Sequence, residues 1–446
     1  MKLSEEHIFK GYWWLPENPN NKVAGILTYT PGERMCLELL GGFENAKGEY
    51  MGLFDEENKS IPLIYGKDSN AKEITLVDCR SSFSLNFSAD FPVMRYLARM
   101  LVFDKHLGDF DERCEYTAYI RFPELSQWAP PGAIEQIVSF DQEGKDIKSS
   151  TFILPTLRGE EGVIFSVTCE NDVQISICRS ITYNSGELSL KPDLEQYSYL
   201  EIKRPGVGMS IPDIFHELYK FQQFLSLATK RNVQFESMYL KDPDIRQDFR
   251  DGQKSYYFPI HILTVQRPVF NPTKLNRNKF LFRYEDMPDR IPDLMAKWMS
   301  DSDNLQPIKS HLVDSLVYKP LVGSVDFLQV VQAIEGVWWR FREEEYRVVN
   351  NIPKREKTTL MTILQEIQKA LSDILKVSSM CLDVEAVVDS RNYYSHFVDK
   401  SKKPKTLDGL QLYDLTRQLR TLLLCLVFEL LGLSHTEINI LMSKQR

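Results

Sequence analysis

The sequence predicts an α+β chain: a β-rich, sandwich-like N-terminal domain followed by an all-α helical bundle. Three observations lead there. Apolar and polar residues alternate with a period of two in segments of residues 1–205, as they do in strands with one buried face. From about residue 305 to 446 apolar residues recur at threes and fours, the spacing of amphipathic helices. Residues 206–304 mix both patterns, and they are expected to connect the two parts.

In the first part, Phe83, Leu85 and Phe87 alternate with Ser84 and Asn86. Val163 to Cys169 is a compact β-branched and aromatic run, and Val173, Ile175 and Ile177 alternate with Gln174 and Ser176. Glu170-Asn171-Asp172 between them reads as a hairpin turn. Short strands broken by Gly, Asn and Pro suggest a sandwich or a curled sheet. Trp13, Trp14, Trp338 and Trp339 are expected in cores.

In the middle part, Gly206-Val207-Gly208 lacks the third glycine of a dinucleotide fingerprint and reads as a turn. Ser210 is placed to cap a helix with Pro212 and Asp213 in its first turn. Ile214, Phe215, Leu218, Phe221, Phe224, Leu225 and Ala228 then recur at helical spacing. Val233 to Leu240 and Tyr256 to Val265 are strand-like, and Asn271 to Arg283 is a basic loop. Lys274, Arg277, Lys279 and Arg283, with Phe280 and Phe282 between them, have the composition of a stacking surface for nucleic acid, although a half-buried strand or loop fits them better.

In the last part, Phe327, Val330, Val331, Ile334, Val337 and Trp338 form one stripe. Leu360, Ile363, Leu364, Ile367, Leu371, Ile374 and Leu375 form another. A short helix is expected from Val384 to about Ser395. Thr406 is expected to cap a long final helix that Gly432 stops. Four to five such helices make a bundle.

The chain of 446 residues is long enough for two or three domains. Its net charge of −8 argues against non-specific coating of nucleic acid. It has seven cysteines with no CxxC pair, so neither a disulfide framework nor a zinc site is expected, but free thiols in a reducing cytoplasm. The polar N-terminus lacks the apolar core of a signal peptide. The run Leu422–Leu433 contains Glu429 and is too short to span a bilayer. A cytoplasmic location without membrane association is therefore expected, and the sequons at Asn58 and Asn86 carry no meaning there. There is no Walker A loop, HExxH or nucleophile elbow. His7, His216, His261, His311 and His435 show no metal-ligand spacing and receive no role; no metal and no cofactor are expected.

The informative segment is Asp389-Ser390-Arg391-Asn392-Tyr393-Tyr394-Ser395-His396. Histidine titrates near neutrality and suits proton transfer. Arginine stays charged and offers a fork that matches phosphate oxygens. Asn392 can hold the histidine or the phosphate. An arginine with four to six residues before a histidine occurs a second time, at Arg99 and His106; there Met100 follows the arginine, in the β-rich part, and that match is taken as fortuitous.

At this point the sequence resembles the HEPN superfamily, whose ribonuclease members carry an Arg, then a polar residue, with four to six residues between the Arg and a His. Val387 to Phe397 is similar to the helix of ApeA-type HEPN domains. Gly11-Tyr12-Trp13-Trp14-Leu15-Pro16, followed by Gly25-Ile26-Leu27-Thr28, is similar to the start of the ApeA-type N-terminal domain. The resemblance implies an ApeA-type N-terminal domain over 1–205, the mixed region over 206–304 and a HEPN bundle over 305–446. It implies a metal-independent endoribonuclease that leaves a 2′,3′-cyclic phosphate, with Arg391, Asn392 and His396 as catalytic residues. It further implies a homodimer through the bundle and a role in antiphage abortive infection, with the N-terminal domain sensing infection or restraining the nuclease and a phage-derived trigger as a partner.

Geometry constrains this site. On one continuous helix five residues turn by about 140° and rise roughly 7.5 Å, so Arg391 and His396 do not share a face, whereas Asn392 and His396 do. Either the helix ends near Ser395 or a second subunit completes the site. An Arg and a His at a helix end can equally pair with Asp389, Asp399 or a carbonyl. Lys400, Lys402, Lys403 and Lys405 can hold flanking RNA phosphates or form a solvated loop before a capped helix. Two other functions fit the same residues: a non-catalytic HEPN module that binds RNA or a protein, and a β-sandwich binding protein whose bundle only dimerises it.

Overall fold

Alternating strands build the first part of the computed structural model, which describes all residues except 44–59, 83–92, 141–144, 146, 158, 185–192, 249–254, 267–275, 301–303, 318–322, 354, 378–381 and 445–446. The alternation at Phe83–Phe87, the sequons, Lys274 and Cys381 lie outside the described residues. The strands are β1 (His7–Trp14), β2 (Val23–Tyr29), β3 (Met35–Leu40), β4 (Ser60–Asp68), β5 (Glu73–Ser82), β6 (Val93–Phe103), β7 (Thr117–Arg121), β8 (Glu135–Phe140), β9 (Ile147–Ile153), β10 (Val163–Thr168), β11 (Gln174–Asn184), β12 (Asp193–Lys203), β13 (Ser237–Lys241), β14 (Arg246–Asp248), β15 (Ser255–Tyr257) and β16 (Ile260–Thr264).

Of the two arrangements expected, sandwich or curled sheet, the curled sheet is observed. β6, β3, β2, β1, β4 and β5 are neighbours in that order, and β5 returns to β6, closing an antiparallel barrel. Closure removes the exposed edges that an open sheet leaves. Phe9 and Trp13 of β1, Leu27 and Tyr29 of β2, Met35, Leu37 and Leu39 of β3 and Tyr96 of β6 are buried, whereas Ile8, Tyr12, Ile26 and Leu40 are exposed. Glycine sets the closest approach: a Cβ on Gly11 would lie 2.1 Å from the Lys67 carbonyl oxygen, and one on Gly66 would lie 2.3 Å from the Trp13 ring.

β6 is long enough to serve two neighbours along one edge. Residues 93–98 pair with β3 and residues 100–103 with β16. From β16 the sheet continues antiparallel through β13, β7, β12, β11 and β10. Glu170-Asn171-Asp172 turns β10 into β11 as expected, with Asn171 and Asp172 at φ 62° and 59°. The extension has one apolar face of Ala118, Ile120, Leu200, Ile202, Met238, Leu240 and Ile262, all buried. The short helix α1 (Leu125–Trp128) lies within this part of the chain.

The helices that follow are α2 (Ile211–Thr229), α3 (Ile291–Met299), α4 (Gln306–Val317), α5 (Ser324–Phe341), α6 (Glu343–Val349), α7 (Leu360–Ala370), α8 (Ser372–Val377), α9 (Val384–His396), α10 (Gly409–Leu430) and α11 (His435–Ser443). The chain separates into two compact units, Met1–Leu218 with Gln234–Leu275 and Tyr219–Val233 with Asn276–Arg446. Ser210 caps α2 as expected: its hydroxyl accepts from the Asp213 amide at 3.2 Å while Asp213 accepts from the Ser210 amide at 3.1 Å.

Within the second unit α5 packs against α4, α7, α9 and α10. Its stripe of Phe327, Val330, Val331, Ile334, Val337 and Trp338 is buried. Trp339, also expected in the core, is 42% exposed, because it falls one position off that stripe. The second stripe does not form one helix: Leu371 ends α7 with φ −98° and ψ 16°, and α8 starts anew. Phe280 and Phe282 are buried, so they are not stacking platforms. Gly432, at φ 86°, follows α10 as expected. The cap of α10 differs from expectation. Asp408, not Thr406, precedes its first residue, because the segment before it is held by α9. No helix among the described residues is long and apolar enough to cross a membrane.

Candidate active site

α9 begins where Asp383 accepts a hydrogen bond from the Ala386 amide at 3.0 Å. Ala386, Val387 and Ser390 are buried, at the spacing that puts them on one face. Ser390, fully buried, accepts from the Leu407 amide at 3.0 Å, and the Tyr394 hydroxyl donates to the Leu407 carbonyl at 3.1 Å. Asp389 accepts from the Lys405 amide at 3.2 Å and pairs with Lys403 at 3.3 Å. The segment between α9 and α10 is thus stitched back along α9. Burial pushes the Tyr394 phenol above its ordinary value, with the Asp408 carboxylate acting in the same direction.

α9 runs through His396, one residue beyond the expected end, and stops at Phe397, which takes a left-handed conformation with φ 53° and ψ 34°. The Phe397 and Val398 amides both point to the Asn392 carbonyl. The sequence argument that Arg391 and His396 do not share a face holds for their Cα positions but not for their side chains. The Arg391 guanidinium wraps back and its Nη1 donates to His396 Nε2. That geometry requires a lone pair on Nε2, so the imidazole carries its proton on Nδ1. The other side of the guanidinium pairs with Glu335 of α5, Nη2 to Oε1, at 3.5 Å.

Sequence reasoning missed Glu335, which lies 56 residues upstream on the half-buried margin of the α5 stripe; its position one residue after buried Ile334 is the signal that places it beside the core. Asp389 and Asp399, the partners considered from sequence, are engaged elsewhere: Asp399 accepts from the Ser401 amide at 2.8 Å. The Asn392 side chain makes no hydrogen bond among the described residues. His396 and Phe397 are exposed, Phe397 by 89%.

The four lysines occupy different settings. Lys400 pairs with Asp408 at 2.7 Å, a hydrogen bond that raises its pKa, and Lys405 pairs with Glu385 with the same effect. Lys403 is held by Asp389, whereas Lys402 is exposed and makes no ion pair among the described residues. The other Arg-to-His match is not a site: Arg99 pairs with Asp78 at 3.6 Å, while His106 bonds the Gly66 carbonyl at 2.9 Å and stacks on Tyr65. Among the described residues no group of three or more His, Cys, Asp or Glu is placed to hold a metal.

An always-charged fork, a neutral imidazole in contact with it and a carboxylate behind it can together bind a phosphate and exchange a proton with an adjacent hydroxyl. Comparison with known families gives two matches. A model of ApeA N-terminal domain 1 matches residues 8–298, and a model of the Apea-like HEPN domain matches residues 328–437. No curated protein and no solved structure matches the chain.

Proposed function

The chain belongs to the ApeA family, with an ApeA N-terminal domain and an ApeA-like HEPN domain, and from that membership we propose that it is a metal-independent endoribonuclease acting in antiphage defence by abortive infection. The observation that carries the reading is the contact of Arg391 with His396 at the exposed end of α9, backed by Glu335. RNA supplies its own nucleophile. His396 of one copy accepts the proton of the 2′-hydroxyl as that oxygen attacks the adjacent phosphorus. The bond to the 5′-oxygen breaks, and a protonated His396 of a second copy gives that oxygen its proton. The products are a 2′,3′-cyclic phosphate and a 5′-hydroxyl end. Arg391 turns from His396 to the phosphate, where its fork neutralises the charge that develops on the equatorial oxygens. Asn392, with its amide unengaged, orients the same phosphate.

One imidazole cannot be base and acid in the same step, which favours a homodimer with two motifs facing each other. The exposed Phe397 beside His396 supplies an apolar contact for such pairing. The N-terminal domain then acts as sensor or restraint, responding to a phage-derived trigger.

The test is incubation of purified protein with total RNA in EDTA, wild type beside Arg391→Ala and His396→Ala. Cleavage in EDTA with cyclic phosphate ends, lost at least about 100-fold in His396→Ala while RNA binding persists, is the expected result. Cleavage that depends on added magnesium, or RNA binding by the wild type without cleavage, overturns it.

A further inference from the structure

The sheet extension of the first unit has a second face opposite its apolar one. Its register sets Lys203 of β12 and Lys241 of β13 on either side of Thr117 of β7, and in the next row Glu201 and Tyr239 on either side of Tyr119. The Tyr119 and Tyr239 rings stack at 4.9 Å and 6°. At the lysine end of these rows lies a cavity of about 460 Å³, lined among others by Glu115, Tyr119, Lys203, Arg204, Lys241 and Tyr257. That volume falls within the roughly 300–1,000 Å³ usual for small-ligand sites.

The cations of this cavity are unevenly satisfied. Lys203 is paired with Glu201 at 2.9 Å. Lys241 makes no ion pair among the described residues; its ammonium rests over the Tyr119 ring at 4.4 Å. Arg204 Nε is buried and has no hydrogen-bond partner among the described residues, a costly condition for a charged group unless an anion completes it. Burial also lowers the Lys241 pKa, a penalty that a bound anion would relieve.

The glycine turn noticed in the sequence holds Arg204 in place. Gly206 and Gly208 have φ 74° and 75°, the Gly208 amide bonds the Arg204 carbonyl at 3.0 Å, and a Cβ on Gly208 would lie 2.7 Å from the Cys114 carbonyl oxygen. Lys105 bridges Tyr116, itself a lining residue, at 2.9 Å and Asp242 at 2.6 Å, which fixes the residues after β13.

We propose that this cavity binds a free nucleotide, its base against Tyr257 and Tyr119 and its phosphate on Arg204 and Lys241. Aromatic walls accept any base by stacking, and the unsatisfied guanidinium edge with an unpaired ammonium calls for a phosphate. Glu115 at the margin is available to a base or ribose donor. The assignment is independent of the reading of the helical unit.

The experiment is calorimetric titration of the full chain with ATP, GTP, AMP, inorganic phosphate and an uncleavable 2′-O-methyl hexanucleotide. At least one of the three nucleotides is expected to bind once per chain with Kd below about 100 µM, with phosphate alone about 100-fold weaker. Lys241→Gln, Arg204→Gln and Tyr257→Leu should each weaken binding about tenfold with an unchanged Tm. Should a variant lose its fold, saturation transfer from wild-type protein to the base protons supplies the same answer, since a bound base must receive it. The proposal is overturned if no nucleotide binds below about 1 mM, if folded variants keep the wild-type Kd, if phosphate binds as tightly as a nucleotide, or if the hexanucleotide binds more tightly than every mononucleotide.

Discussion

Replacing Glu335 by glutamine should slow RNA cleavage without loss of the fold. The carboxylate holds Arg391 at 3.5 Å, and the two side chains are 20% and 26% exposed. At an effective dielectric of about 20, unit charges at that separation attract by about 5 kcal/mol. Partial exposure and the desolvation of both groups remove most of this, leaving about 1–2 kcal/mol. If that energy fixes the guanidinium beside His396, its loss appears in the turnover step as a fall of roughly 5- to 30-fold in kcat, with KM changed by less than about threefold. The assay is cleavage of a fluorogenic oligoribonucleotide in EDTA. A double-mutant cycle isolates the mechanism: in an Arg391→Ala background, Glu335→Gln should add nothing further. Equal effects of Glu335→Gln in both backgrounds, or an unchanged or higher kcat, would refute the positioning role.

Three further outcomes are expected. Gly11→Ala forces a Cβ to 2.1 Å from the Lys67 carbonyl oxygen and should cost about 3 kcal/mol or more; urea unfolding of the barrel with a wild-type midpoint would contradict this. Ser390→Ala leaves the Leu407 amide without the acceptor that it has at 3.0 Å and should cost about 1–3 kcal/mol, read in the unfolding of the helical unit; a change under about 0.5 kcal/mol would show that the stitching carries no weight. Burial holds His261 down at about 4 against an ordinary 6.5, so the unfolded chain takes up that proton first. The stability due to neutral His261 is complete above pH 6.5 and is lost as the pH falls through about 4; His261→Gln should unfold with a shallower acid dependence across that window, and an identical slope argues against the assignment.

Local chemistry made the helix end legible. Arg391, Asn392 and His396 lie within six positions, and the cap Ser210 and the stop at Gly432 are sequence-local devices. The long-range parts were not legible. Barrel closure depends on β5 returning to β6, and nothing in either strand's alternation names its partner. The break at Leu371 interrupts an apolar stripe that is periodic on both sides of it. Thr406 has the composition of a cap, yet α9 claims the residues around it through Asp389, Ser390 and Tyr394, so the helix starts later, at Gly409 after Asp408. Glu335 reaches the site only because α5 and α9 pack together, a contact that sequence spacing does not encode.

The construction of α9 shows what an arginine at position 391 reaches that another side chain would not. The inner face of the helix is spent on Ala386, Val387 and Ser390, so Arg391 and His396 stand on opposite flanks of the outer face, about 140° apart. A side chain that spans this gap must be long, and one that contacts the imidazole and a carboxylate at once must donate from both ends of a rigid fork, as Arg391 does through Nη1 and Nη2. Lysine has one point donor and cannot hold both. Because Glu335 lies on α5, the guanidinium is tied to the helix at the centre of the bundle and not to the α9–α10 segment. His396, by contrast, is the last residue of its helix, beside the left-handed turn at Phe397. In the proposed reaction the phosphate-binding group would thus be held by the core and the proton carrier by a helix end, and displacement of the Phe397 turn would act on proton transfer before it acts on binding.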